Sequence, residues 1–221
     1  MHPPLFWLVS AYAESINELV LLILSYIFCF RRFSPRYMRS FPIYATLNAA
    51  ADALAEVFHT RSNEIYYGFS LFELVYFTYF LTTIFRVKGA KVALWSLTII
   101  CMLSSISLIA IKVFDFSLVG INGLSLLAEC FVLILGCAEY IREIMAKPDI
   151  PELTREPAFW MVCGMFSYFS ILGPTVIFSG WAGSRELTTV AGLMWSFNNY
   201  AQLISTAFFI TAMVCKRKQP Y

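Results

Sequence analysis

The sequence predicts an all-α integral membrane bundle of seven transmembrane helices, a single domain over residues 1–221. Three observations carry that prediction. Apolar segments of membrane-crossing length recur seven times, the basic residues gather on alternate connections, and charge is too scarce for a soluble surface. Of the 221 residues, 59% are hydrophobic and only 14% charged, with a mean hydropathy of +0.70. Soluble domains carry ~25% charged residues. This composition excludes a nucleic-acid binder, a disordered chain and a secreted disulfide scaffold.

The first segment runs from about Leu5 to Phe30, and the second from Pro42 to about His59. The third covers about Ile65 to Phe85, the fourth about Val92 to Val113 and the fifth about Leu118 to Tyr140. The sixth spans Pro157 to about Ser179 and the seventh about Thr189 to Cys215. Each approaches the ~20 apolar residues that a bilayer crossing needs. Seven helices use roughly 150 residues, which leaves about seventy for loops and tails and no room for a soluble catalytic or kinase domain. No basic region precedes the first segment, where Glu14 and Glu18 sit instead, so it reads as a retained helix and not as a cleaved signal peptide.

Charge sets the orientation. Thirteen basic residues fall on one side: Arg31, Arg32, Arg36 and Arg39; Arg86, Lys88 and Lys91; Arg142, Lys147 and Arg155; and Lys216, Arg217 and Lys218. The other side holds Arg61, Lys112 and Arg185. Positive loops face the cytoplasm, so the N-terminus is expected outside and the C-terminus in the cytoplasm, with the chain in the cell's inner membrane. Proline at the openings of helices two and six suits a first helical turn, whose N–H groups are unpaired anyway. Trp7, Trp181 and Trp195 suit an outer aromatic belt and Trp160 an inner one. Pro174, inside helix six, is expected to kink it. The alanines of helix two, from Ala45 to Ala55, allow close backbone approach and predict a central helix. All six cysteines lie in or at the ends of apolar segments, as buried reduced thiols would.

A short internal echo stands out. Glu18–Leu24 reads ELVLLIL and Glu129–Leu135 reads ECFVLIL, each followed by an arginine at the same offset, Arg31 and Arg142. With the two proline openings, this raises a three-plus-one-plus-three duplication.

The chemistry lies in the acids. Glu18, Asp52, Glu56, Glu73 and Glu129 all fall inside apolar segments, where an ionisable residue points to function. Asn48, Asn198, Asn199 and Gln202 add amides. Counted from the helix ends, the set falls between the midplane and the outer face. Asn48, Asp52 and Glu56 recur every four residues along one helix face. The expected assembly is an acidic cavity in the outer half, walled by helices one, two, three, five and seven. Glu18, Asp52, Glu56, Glu73 and Glu129 would supply negative charge, and Asn198 and Asn199 would orient a ligand. No lysine or arginine accompanies them. Two outcomes are open: the acids are protonated and hydrogen-bonded within a helix-gluing network, or a cation neutralises them.

No cofactor is expected. Glu56-x-x-His59 has the spacing of half a carboxylate-bridged iron site, making Glu56 and His59 weak metal candidates, but the only other histidine is His2. That count also argues against three-histidine zinc hydrolases and a His-ligated haem. Covalent retinal needs a lysine within the last helix, and Lys216 and Lys218 lie beyond it. No phosphate loop, zincin motif or nucleophile elbow occurs.

Two stretches carry a resemblance: FELVYFTYFL over Phe72–Leu81, and Ile150-Pro-Glu-Leu leading to Pro157-Ala-Phe-Trp, with Gly164 and Tyr168-Phe-Ser170 following. Together they resemble bacterial seven-helix membrane proteins of uncharacterised function, mainly from Bacteroidota, some of which precede histidine-kinase modules. The resemblance implies a membrane sensing role without naming a ligand. The reading is therefore a receptor-like protein that binds a small polar or cationic ligand and signals through a separate cytoplasmic or membrane partner. The alternatives are a small, proton-coupled transporter and a structural subunit of a membrane complex. An enzyme is the weakest reading, because no nucleophile or metal set accompanies the acids.

Overall fold

The computed structural model describes residues 5–30, 35–58, 62–113, 121–146, 153–185 and 187–215. These form seven α-helices and, among the described residues, no strand. They are α1 (Leu5–Cys29), α2 (Phe41–Val57), α3 (Ser62–Ile84), α4 (Lys88–Val113), α5 (Ile121–Met145), α6 (Pro157–Ser184) and α7 (Thr188–Val214). Two 3₁₀ turns, Arg36–Ser40 and Leu153–Arg155, lead into α2 and α6. The helices of α4, α5 and α6 contain stretches long and apolar enough to cross a membrane: Lys88–Leu108, Leu124–Met145 and Pro157–Ser179.

Short connections force an up-and-down path. Six helices close a ring in which α1 packs on α2, α2 on α3, α3 on α5, α5 on α6, α6 on α7, and α7 back on α1. The helix α4 packs on α3 and α5 from outside, with Val92, Ile99, Ile100 and Leu103 exposed. Polar rungs hold it there. Thr78 and Thr98 share a 2.8 Å hydrogen bond, Tyr67 Oη donates to the Ser105 carbonyl at 2.8 Å, and the Ser105 and Ser125 hydroxyls pair. Ser107 bonds back along α4 to the Leu103 carbonyl, whereas Ser105 bonds across to its neighbours.

Two expectations need correction. The helix α2 is not central: it is one stave of the ring, between α1 and α3, with Ala50, Ala53, Ile43 and Leu54 exposed. Only Ala45, Ala51 and Ala55 reach the interior, because alanines on every side of a helix cannot all face one neighbour. The helix α5 runs past Tyr140 to Met145. Glu139 pairs with Arg142 at 2.6 Å, and Glu143 accepts the Arg86 and Val87 backbone N–H groups at 2.9 and 3.2 Å. Those donors open α4, so a carboxylate from α5 caps it. The helix α6 continues unbroken through Pro174.

The core fills the half of the ring nearest the α1–α2 connection. Phe41, Phe77, Phe80, Met161, Met165 and Phe169 are almost completely buried there. Phe77 meets Phe169 edge-on at 5.8 Å and Tyr44 at 4.9 Å between ring centres. Gly164 lets α6 and α7 close up, since a Cβ there would lie 2.7 Å from the Phe209 ring and 3.1 Å from the Ser205 carbonyl.

Candidate functional site

The other half of the ring, toward the α2–α3 and α6–α7 connections, is hollow. A cavity of about 560 Å³ opens there, within the usual range for small-molecule sites, ~300–1,000 Å³. Its polar wall is Asn48 and Asp52 from α2, Ser70 and Glu73 from α3, and Asn198, Asn199 and Gln202 from α7. Its apolar and aromatic wall comes from α3, α5, α6 and α7, chiefly Phe69, Leu126, Tyr168, Leu172 and Trp195. The helix α6 is thus a wall that the sequence did not place, while α1 does not reach this cavity.

Helix periodicity explains the membership. From Asn48 to Asp52 and on to Glu56, each four-residue step advances ~400°, a drift of ~40° around a 3.6-residue helix. Asn48 and Asp52 stay within the cavity wall, whereas Glu56, in the last turn of α2, is exposed and outside it. The expectation for Glu56 therefore fails on geometry. His59 lies outside the described residues. Among the described residues, no group of three histidine, cysteine, aspartate or glutamate side chains is placed to hold a metal.

Glu73 anchors the floor. It is buried, and Tyr44 Oη donates to its Oε1 at 2.6 Å. Tyr44 stacks on Tyr76 at 5.0 Å, which fixes the donor. Asp52 is half-buried and within electrostatic reach of Glu73. Glu129, 2% exposed, stands behind the wall beside Ser70 and near Glu73, and does not line the cavity. Two buried acceptors, Glu129 Oε1 and Asn198 Oδ1, have no hydrogen-bond partner.

Glu18 occupies a separate, deeper space of about 30 Å³, with Asn17, Tyr44, Ser205 and Thr206. Its Oε1 accepts from Asn48 Nδ2 at 3.0 Å and from Gln202 Nε2 at 3.4 Å. Asn48, Gln202 and Tyr168 line both spaces, so the two amides form the partition between Glu18 and the large cavity. Nearby, Asn17 donates to Thr206 at 2.9 Å, tying α1 to α7.

Of the seven expected residues, Asp52, Glu73, Asn198 and Asn199 meet in one cavity, Glu18 adjoins it, Glu129 backs it and Glu56 leaves it. Sequence reasoning missed Tyr44 and Ser70. Both had a usable signal, as Tyr44 lies four residues before Asn48 and Ser70 three before Glu73 on the same helix face. The six cysteines are free. No family model matches the chain, and no curated protein or solved structure matches it.

Proposed function

We propose that this chain is a receptor-like protein of the cell's inner membrane, crossing it seven times, that binds a small polar or cationic ligand in the 560 Å³ cavity. Its inside-out polarity supports the membrane reading. All seven helices expose large apolar side chains, among them Ile23, Leu47, Tyr79, Ile100, Phe131, Ile177 and Phe197, while Glu18, Glu73 and Glu129 turn inward. A soluble protein rarely exposes apolar surface on that scale. The positive-inside bias then puts the basic connections in the cytoplasm and the open cavity outside. The ligand's effect would pass through the basic inner connections to a separate partner.

The observation that carries the ligand reading is a roomy cavity lined, among the described residues, by two carboxylates and no basic side chain. A thermal-shift screen of the purified chain in detergent tests it, with divalent metals, amines, amino acids, sugars and lipids. A ligand that binds only the folded state stabilises it by about 2.7 kcal/mol at a hundredfold excess over Kd. The expected result is a hit that disappears when Asp52→Asn and Glu73→Gln are combined. A hit that survives the pair unchanged would sink the site assignment.

A second reading, transport, is favoured by the ring itself. The triplets α1–α2–α3 and α5–α6–α7 each supply three consecutive staves, and the junctions α3–α5 and α7–α1 are equivalent. An odd helix between them, α4, gives both triplets the same orientation, as in parallel transporter repeats. Accumulation of the hit compound in proteoliposomes would favour transport; binding without flux would favour the receptor.

A further inference from the structure

We propose that the cavity takes a flat heteroaromatic ring with N–H donors and acceptors along its edge: a nucleobase, free or as its nucleoside. This rests on the reading of the cavity as a ligand site and names the class of its ligand.

The order of the helices puts aromatic walls on opposite sides of the cavity. From α3 to α7 the ring passes through α2 and α1 one way and through α5 and α6 the other, so α3 and α7 are opposite staves. Tyr66, Tyr67 and Phe69 line the cavity from α3, and Trp195 lines it from α7. Their depths match. Both helices begin at the hollow end, and Phe69 and Trp195 each come seven residues after the first residue of their helix. The α3 wall is held from behind. Tyr67 Oη is engaged by the Ser105 carbonyl of α4 at 2.8 Å, and the Phe69 ring contacts Phe72 and Tyr44 at 6.0 and 6.1 Å between centres.

A polar tier repeats the match. Four residues on from each of these two rings, on the same helix face, stand Glu73 and Asn199, both in the cavity wall. At ~1.5 Å per residue they lie ~6 Å deeper than the rings. On the flank, α2 adds Asn48 and Asp52.

The two tiers select different parts of one guest. Rings on opposite staves suit a guest with two π faces, and bases stack on aromatic side chains whatever their identity. Below them, carboxylates accept hydrogen bonds, while side-chain amides both donate and accept. The edge of a nucleobase sets N–H donors beside acceptors, so it can meet both kinds. Pockets that hold an extruded base combine the same two contacts, stacking on the faces and hydrogen bonds at the edge. An alkyl ammonium offers donors alone and no π face. A sugar offers donors and acceptors but nothing to stack.

Isothermal titration of the full chain in detergent tests this with adenine, hypoxanthine, cytosine, uracil, their nucleosides and D-ribose. At least one base or nucleoside is expected to bind and to quench indole emission, with the quenching reduced in Trp195→Phe. Trp195 is half exposed, so replacing it leaves the packed half of the ring intact. Trp195→Ala should weaken the bound base about tenfold, and Trp195→Phe, which keeps a ring, by no more than about threefold. An N-methylated form of the base, flat but without its edge donor, should bind about tenfold more weakly. No binding by any base or nucleoside overturns the proposal, as does ribose binding as tightly as the nucleoside. Affinity unmoved by Trp195→Ala overturns the stacking slot, and an N-methylated form that binds as tightly as its parent overturns the edge readout. An amine, sugar or amino acid bound instead, and lost when Asp52→Asn and Glu73→Gln are combined, would overturn the base and uphold the cavity. A base indifferent both to Trp195→Ala and to that pair would overturn the base and the cavity together.

Discussion

The two halves of the ring are built from different materials by the same helices. Toward the α1–α2 connection, α2, α3, α6 and α7 contribute Phe41, Phe77, Phe80, Met161, Met165, Phe169 and Phe209, all buried. Toward the α2–α3 connection most buried residues of these helices are small or polar, among them Ala51, Ala55, Ser70, Thr175, Ala182 and Ser196, with Leu172 the large exception. Bulky rings fill the ring's interior at one end, whereas at the other the aromatic side chains stand in the wall and leave the space between them open. Tyr44 and Glu73 sit at the boundary, a ring from the packed half donating its hydroxyl to an acid of the hollow half. The lesson is a division of labour: one half specifies how the helices pack, and the other is free to hold polar groups that packing alone would not tolerate.

Substitutions that separate stability from binding can break that comparison. Phe77→Ala should have the largest effect on folding. In lipid an unfolded chain keeps its apolar side chains in hydrocarbon, so mainly the cavity part of the usual ~3–5 kcal/mol loss applies, about 2–3 kcal/mol. Thermal unfolding in detergent would read it, and a loss below half of that would mean the packed half is not the stabilising one. Gly164→Ala drives a methyl group against Phe209 and the Ser205 carbonyl, and should cost about 1–3 kcal/mol by overpacking. The same assay checks it, with Gly68→Ala, which meets open space, as the comparison. Tyr44→Phe keeps the ring stacking and strips the donor from Glu73, so about 1–2 kcal/mol should go; an unchanged melting temperature would show that the boundary hydrogen bond is dispensable. Asp52→Asn should be the mildest, within about 0.5 kcal/mol of the parent chain, while still reducing the stabilisation given by a cavity ligand. If it destabilised the protein as much as Phe77→Ala, the hollow half would be structural after all.

Much of the site was legible before any coordinates. An acid inside an apolar segment turns away from hydrocarbon, and its distance from the helix ends gives its depth; Asp52, Glu73 and Asn198 were found that way. The rule fails at Glu56 because a four-residue spacing drifts around the helix, and the last turn of α2 ends beside the opening. It fails at Glu129 for another reason. The residue is buried as expected, but Ser70, its neighbour from α3, lines the cavity and Glu129 does not, and no periodicity within α5 reports what α3 contributes there. The capping of α4 by Glu143 was likewise invisible, since it joins an acid beyond the apolar run of α5 to backbone donors fifty-six and fifty-seven residues earlier.

What the sequence by itself determined is the number of helices, their approximate ends, the apolar surface and the inward turn of Glu18, Glu73 and Glu129. Each follows from local physics: hydrophobic length, proline at a first turn, and the cost of charge in an apolar medium. What only the tertiary structure decided is the order of the ring, with α4 outside and α2 a stave of the wall, and the position of the hollow. Those depend on which side chains from different helices compete for the same space. Small residues leave room only where no neighbour sends a large ring to fill it.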